Sequence, residues 1–295
     1  EIYKKDNEII SIRGKLLADG IFVPTDSSPQ FLSGMMIALP YREKESVISL
    51  SDEVSYREYI SPVSFVQKAF GVETSYVSDK KQILVSGSGY SAGNFSVEGD
   101  YSLSASYLVA GALGDGVTVD NLYSASNQTD RRIINILSDF GANIIQAENF
   151  VSVSRGRTSP IDVDCADIPH LVPILAVLAC FANGKSRLEN CGETYYRESD
   201  RLHQVCDSLT ALGADIEAVG DDIYIVGHGG LDGGDAMDFG DHRIAMALSI
   251  AAAFSKGDSS IDSNDSVKKS YPAFFSDFTK VGGKRKVPKK DTIIY

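Results

Sequence analysis

Four stretches of this chain are almost free of charge for about three helical turns each: "QFLSGMMIAL" at 30–39, "SLSASYLVAGAL" at 102–113, "HLVPILAVLACF" at 170–181 and "DHRIAMALSIAAAF" at 241–254. A helix that is apolar all round belongs in a core, so the pattern predicts four helices covered on most sides. After a turn, each is followed by a short run: "SVISL", "VTVDNL", "SRLENC" and "SSIDSN". The first two have strong β composition, and the other two are read as strands from their place in the order. A polar loop then leads to an amphipathic segment that ends in glycine. These segments are "REYISPVSFVQKAFG", "QTDRRIINILSDFG", "ESDRLHQVCDSLTALG" and "VKKSYPAFFSDFTKVGG", each predicted as a second helix. Their glycines, Gly71, Gly141, Gly213 and Gly282, recur at spacings of 70, 72 and 69 residues and suit a left-handed C-terminal cap. Runs such as "QILVSG" (82–87) and "DIYIVG" (222–227) read as strands leading towards the next unit.

The predicted fold class is therefore α/β, built from a βαβαββ unit with helices inside and sheets outside. Glycine and serine concentrate in "GYSAGNFSVEGD", which places a domain break at 93–97. One unit precedes the break, in residues 1–97, and three follow it, in residues 98–295.

Composition narrows the function classes. A length of 295 residues holds about two domains, and no apolar run reaches the length of a membrane span. The net charge of -12 argues against nonspecific nucleic-acid binding, since a polyanion would be repelled overall, yet leaves room for a local basic pocket that takes a small anion. Cys165, Cys180, Cys191 and Cys206 form no C-x-x-C pair, and two fall in apolar helical patterns; they read as reduced thiols in a cytoplasmic protein and imply no metal site. The chain opens Glu1-Ile2-Tyr3 with neither an initiator methionine nor a signal pattern, which reads as a fragment or an excised domain.

The polar residues that invite a chemical question gather where helices are predicted to start. They are Ser28 and Gln30; Asp100 and Ser102; His170; Arg197, Glu198, Asp200 and Arg201; Asp241, His242 and Arg243; and Lys268 and Lys269. Helix N-termini offer unpaired N–H groups and a partial positive charge, and arginine or lysine there opposes the usual preference for acidic residues. Cations at several such ends make sense around a shared anionic ligand. Taken singly, Asp100, Asp200 and Asp241 read as ordinary N-caps, and Lys268 with Lys269 as solvated surface. The basic "GGKRKVPKKD" is assigned no function.

At "RESDRL" (197–202), "GDHRIAMA" (240–247) and "KSYPAFF" (269–275) the chain resembles the 5-enolpyruvylshikimate-3-phosphate synthase family, the 3-phosphoshikimate 1-carboxyvinyltransferases. The likeness continues at "SSPQFLSGMMIALP" (27–40), "VEGDYSLSASYLVAGAL" (97–113) and "ADIPHLVPILAVLA" (166–179). It implies an inverse α/β barrel of the enolpyruvyl transferase type, with three repeats in a C-terminal domain and one from an incomplete N-terminal domain. The implied reaction moves the enolpyruvyl group of phosphoenolpyruvate to the 5-hydroxyl of shikimate 3-phosphate, releases phosphate, and needs neither metal nor organic cofactor.

By the same resemblance, Arg201, Arg243 and Lys269 match positions that hold phosphoenolpyruvate. Ser28, Gln30, Tyr59, His170, Glu193 and Arg197 match positions on shikimate 3-phosphate. Glu198 matches a carboxylate that moves protons on the methylene carbon, with His242 beside it; His170 and Arg197 stand at the family's other proton-handling positions. Four positions depart from the family, which has aspartate at His170, serine at Pro29, lysine at Arg197 and asparagine at Glu193. Tyr56 stands where the serine three residues before Tyr59 is expected. The family's first part, which completes the cleft, does not appear in this sequence. Two other readings follow from these departures: a noncatalytic homologue that keeps anion binding, and an enolpyruvyl transferase with a different acceptor.

Overall fold

Glycine closes the amphipathic helices as the pattern requires. Gly71, Gly141, Gly213 and Gly282 all have positive φ, at 81°, 99°, 91° and 97°. There a Cβ would be strained. The computed structural model describes residues 2–5, 9–12, 14, 16, 20–24, 29–42, 44–51, 57–194, 200–262 and 265–285. The chain forms two compact units, Glu1–Val97 and Glu98–Tyr295.

In the first unit β1 (Ile2–Lys5) and β2 (Ile9–Ile12) form an antiparallel pair. Then come β3 (Gly20–Val23), α1 (Pro29–Ala38), β4 (Ser46–Leu50), α2 (Arg57–Ala69), β5 (Thr74–Val77) and β6 (Gln82–Val85). The sheet runs β3-β4-β6-β5, with β3 parallel to β4 and the other pairs antiparallel. Leu32, Met36, Ile48, Ile83 and Val85 form its core. Buried Gln67 of α2 donates to the Met36 carbonyl at 2.8 Å and so ties the two helices. The expectation of burial on most sides fails for α1: Phe31 and Ile37 are each 51% exposed, and among the described residues of this unit α2 is the helix that packs against it.

The second unit contains α3 (Tyr101–Leu113), β7 (Val117–Asp120), α4 (Ile133–Phe140), β8 (Asn143–Gln146), β9 (Phe150–Ser154) and β10 (Asp162–Asp164). It continues with α5 (Val172–Cys180), β11 (Asn183–Glu189), α6 (Arg201–Ala211), β12 (Asp215–Val219) and β13 (Asp222–His228). It ends with β14 (Gly234–Met237), α7 (His242–Phe254), β15 (Ser259–Asp262) and α8 (Phe274–Lys280). The apolar helices α3, α5 and α7 pack against one another and are buried along nearly their whole length, as the uncharged sequence demands. Sheets β7-β9-β8, β10-β11-β13-β12 and β14-β15 accompany them. The pairs β10–β11 and β14–β15 are parallel, so the segments leaving each pair emerge at one end.

Several boundaries differ from the sequence expectation. The weak run "SRLENC" belongs to a strand that starts earlier, at Asn183, because β13 pairs along it from Asn183↔His228 to Leu188↔Ile223. The helix expected at 128–141 opens as a 3-10 turn, Thr129–Arg132. The one expected at 267–283 splits into a 3-10 turn, Ser266–Lys269, and α8. Pro272 lies between them, lacks an N–H and turns the preceding residue away from helix. The complete βαβαββ order is present at 20–85 and 162–228; among the described residues, 101–154 has no opening strand and 234–280 no closing pair.

Helix α3 lies hard against its sheet at Gly111, where a Cβ would stand 2.5 Å from the Val153 carbonyl oxygen and 3.1 Å from the Val117 nitrogen. Gly111→Ala gains about 1 kcal/mol of helix propensity. Backbone atoms cannot step aside, so overpacking of about 1–3 kcal/mol should win. Urea unfolding is expected to show a net loss; a stabilised variant would contradict this packing.

Candidate anion site at the helix N-termini of the second unit

Three helices of the second unit begin with an aspartate cap. Asp100 accepts from the Leu103 N–H at 3.0 Å, and Asp200 from the His203 N–H at 3.4 Å. Asp241 accepts from the N–H groups of Arg243 at 2.8 Å and Ile244 at 3.4 Å. The plain capping role read from sequence holds for all three.

Asp241 does more than cap. Its other oxygen accepts from Nε of Arg201, the first residue of α6, at 2.8 Å, and the two side chains are 1% and 2% exposed. Burial by itself would raise the Asp241 carboxyl. The Arg201 charge and hydrogen bond, the Arg243 N–H and neighbouring His242 outweigh it and hold the pKa below the ordinary carboxylate value. Arg243, the second residue of α7, is partly buried and donates through Nη1 to Ser102 Oγ on α3 at 2.5 Å. Burial, and then the like charge of Arg201, lowers the Arg243 pKa, while Asp130, Asp100 and Asp241 act in the opposite sense. Two guanidiniums thus stand close enough to repel; Asp241 pairs with that of Arg201, while Asp130, Asp100 and Asp241 together offset the charge of Arg243.

Arg201 Nη1 is buried and has no hydrogen-bond partner among the described residues. An unmet charged donor in the interior is costly, so an acceptor is expected there. An anion would meet that donor, relieve the repulsion between the arginines and complement the N-termini of α6 and α7. His242 opens α7 and is 6% exposed.

The remaining sequence candidates fall as follows. His170 does not open a helix: α5 starts at Val172 with Leu171 as its cap, and half-buried His170 lies in the turn before it. Pro173 accounts for the boundary, since proline fits the first turn of a helix, where its missing N–H leaves no bond unmade. Lys268 and Lys269 do not stand at a helix N-terminus but close the 3-10 turn Ser266–Lys269; both are exposed, and Lys268 pairs with Asp265 at 2.7 Å. Gln30 is the second residue of α1 in the first unit, and exposed. Ser28, Arg197 and Glu198 lie outside the described residues, as do the side chains of Pro29, Tyr59 and Glu193. Sequence reasoning did not find the Arg201–Asp241 pair or the Ser102–Arg243 bond, which join residues 40 and 141 positions apart.

Removing one partner of a buried ion pair leaves the other charge uncompensated. Asp241→Ala is therefore expected to destabilise the protein by about 3–5 kcal/mol in urea unfolding. Because the folded pKa is depressed, the stability Asp241 contributes is complete above about pH 4 and lost as pH falls through the folded value. Asp241→Asn should flatten that part of the acid limb of a stability–pH curve; an unaltered limb would remove Asp241 as its source.

Residues 3–278 match the family model for EPSP synthase (3-phosphoshikimate 1-carboxyvinyltransferase). The 3-phosphoshikimate 1-carboxyvinyltransferase of Brachyspira hyodysenteriae is 37% identical over 285 residues, which is 96% of this chain and 67% of that protein. The protein of the same name from Clostridium perfringens is 35% identical over 282 residues, 95% of this chain and 66% of that one. Among solved structures, an EPSP synthase from Acinetobacter baumannii superposes with a TM-score of 0.80 at 23% identity, covering 96% of this chain and 68% of that one. That likeness gives the fold, an inverse α/β barrel. The chain spans about two thirds of the length of the relatives it matches. With the family model matching nearly its whole length, the chain belongs to the EPSP synthase family.

Proposed function

We propose that the full-length protein transfers the enolpyruvyl group of phosphoenolpyruvate to the 5-hydroxyl of shikimate 3-phosphate and releases phosphate, as a cytoplasmic step towards aromatic amino acids. The observation that carries this reading is the pair of guanidiniums, buried Arg201 and partly buried Arg243, with one Arg201 nitrogen lacking an acceptor among the described residues. In this reading they hold the carboxylate and phosphate of phosphoenolpyruvate by charge-assisted bonds, with Lys269 as the third cation. Glu198 protonates the methylene carbon as the substrate oxygen adds to its neighbour. It then takes a proton back from the new methyl group as the C–O bond to phosphate breaks, with His242 beside it.

Ser28, Gln30, Tyr59, Glu193, Arg197 and His170 hold shikimate 3-phosphate in the same reading. His170 takes the 5-hydroxyl proton while its imidazole is neutral. Arg197 supplies charge but not a proton, since guanidinium stays protonated. Residues 1–97 are the last repeat of one barrel domain and 98–295 the three repeats of the other, with a further segment completing the cleft; the greater length of the relatives supports this.

Phosphate release by the full-length protein tests the reading. Release is expected only when phosphoenolpyruvate and shikimate 3-phosphate are both present, and its absence under all conditions would sink it. Arg243→Met should raise KM for phosphoenolpyruvate at least thirtyfold, since losing a buried charged partner costs about 2–5 kcal/mol. His170→Asp is expected to raise turnover or leave it unchanged, since a carboxylate is the family's proton acceptor at this position, whereas a fall would mean that the imidazole serves this chain better than a carboxylate. Binding of shikimate 3-phosphate without turnover would put the noncatalytic reading in place of the transferase.

A further inference from the structure

The segments that bring residues to the anion site share a hydrogen bond that recurs at nearly constant spacing. Ahead of α3, Glu98 Oε1 accepts from Ser126 Oγ at 2.9 Å, 28 residues on. Ahead of α5, Asp164 Oδ1 accepts from Asn190 Nδ2 at 3.0 Å, 26 residues on. Ahead of α7, Asp238 Oδ2 accepts from Ser266 Oγ at 2.6 Å, again 28 residues on. Each acceptor sits in the stretch that enters an apolar helix, and each donor follows the next strand, β7, β11 or β15. A backbone bond accompanies every pair: Gly99 N–H to Asn121 C=O at 2.7 Å, Cys165 to Glu189 at 2.8 Å, and Asp238 to Asp262 at 3.4 Å.

These bonds join segments that carry the site. After Ser126 comes Gln128, which accepts from the Tyr101 N–H and donates to the Gly99 carbonyl, both at 2.8 Å, and so fixes the start of the helix bearing Ser102. Asp164 precedes the turn with His170, and Asn190 leads to the helix that starts at Arg201. Asp238 is 1% exposed; its Oδ1 accepts from the Gly240 N–H at 2.9 Å and its carbonyl from the Asp241 N–H at 2.8 Å, folding the loop that delivers Asp241, His242 and Arg243. Ser266 opens the turn that closes at Lys269.

We infer that Glu98–Ser126, Asp164–Asn190 and Asp238–Ser266 are one positioning device repeated three times, and that Asp238–Ser266 sets the affinity for phosphoenolpyruvate by holding the Arg243 loop to the Lys269 turn. This rests on the reading of the site as a phosphoenolpyruvate site. The weight falls on the third pair because its carboxylate is buried, whereas Asp164 and Asn190 are exposed and compete with water.

Steady-state kinetics of the full-length protein, with calorimetric titration of inorganic phosphate alongside, test the inference. Ser266→Ala is expected to raise KM for phosphoenolpyruvate about tenfold, the loss of one hydrogen bond to a charged group, with KM for shikimate 3-phosphate changed less than about twofold. Ser266→Thr keeps the hydroxyl and should restore the value, and Asn190→Ala should give a smaller rise than Ser266→Ala. An unchanged KM for phosphoenolpyruvate in Ser266→Ala, or an equal rise for both substrates, overturns the inference while leaving the transferase reading intact. Should the wild type bind phosphate without turnover, the same weakening is expected in phosphate affinity, and its absence is equally decisive. A wild type that neither turns over nor binds phosphate overturns both.

Discussion

Asp241 has two carboxylate oxygens and spends them on two helices. One closes the open N–H groups of α7, and the other neutralises Arg201 at the head of α6. A guanidinium that is 2% exposed would be strongly destabilising without this partner, so the meeting of α6 and α7 is conditional on it. Arg243 enters on the same cap, and Ser102 on α3 receives its side chain. One carboxylate thereby fixes two cations from separate helices: it pairs with the Arg201 side chain and caps the turn that carries Arg243, whose charge Asp130 and Asp100 also offset. What the cluster lacks among the described residues is an acceptor for Arg201 Nη1, and that unmet donor is what gives it a use for an anion.

The apolar helices make this precision possible. Because α3, α5 and α7 bury nearly every side chain, their ends cannot slide without opening the core. Tyr107 of α3 donates to the Phe274 carbonyl at 2.7 Å and so fastens α8 to the same bundle, where burial raises its phenol pKa. The close seat of Gly111 on the sheet acts in the same direction. Polar groups at the ends of these helices are therefore held by packing, and the recurring carboxylate bonds at the strand exits refine what packing has set.

Much of this was legible in sequence. Uncharged stretches located the core helices, the repeated glycines located the helix ends, and cations beside predicted N-caps located the cluster of Arg201, Asp241 and Arg243. What escaped has physical reasons. A single sequence shows that Asp241 caps a helix, but whether its second oxygen meets Arg201 depends on how two helices dock, and no local pattern carries that. The same holds for Ser126, Asn190 and Ser266, ordinary loop residues until strand pairing sets them opposite a carboxylate. Local reading also failed where pairing overrode propensity, as at Asn183, and where Pro272 interrupted a helical pattern. In α1 the uncharged sequence asked for cover that the first unit alone does not give.

A buried ion pair is weak ground for stability, since well-packed apolar residues of similar volume often serve as well or better by about 1–4 kcal/mol. If Arg201 and Asp241 are kept for the anion, stability and binding must separate when both are replaced. The direct measurement compares Arg201→Met, Asp241→Leu and their combination in the full-length protein, by urea unfolding and by calorimetric titration with phosphoenolpyruvate. Each single change is expected to destabilise strongly, and the double variant to recover most of that stability while binding phosphoenolpyruvate at least a hundredfold more weakly, about 2.7 kcal/mol. A double variant that binds phosphoenolpyruvate as the wild type does would contradict the assignment of the pair to the anion site.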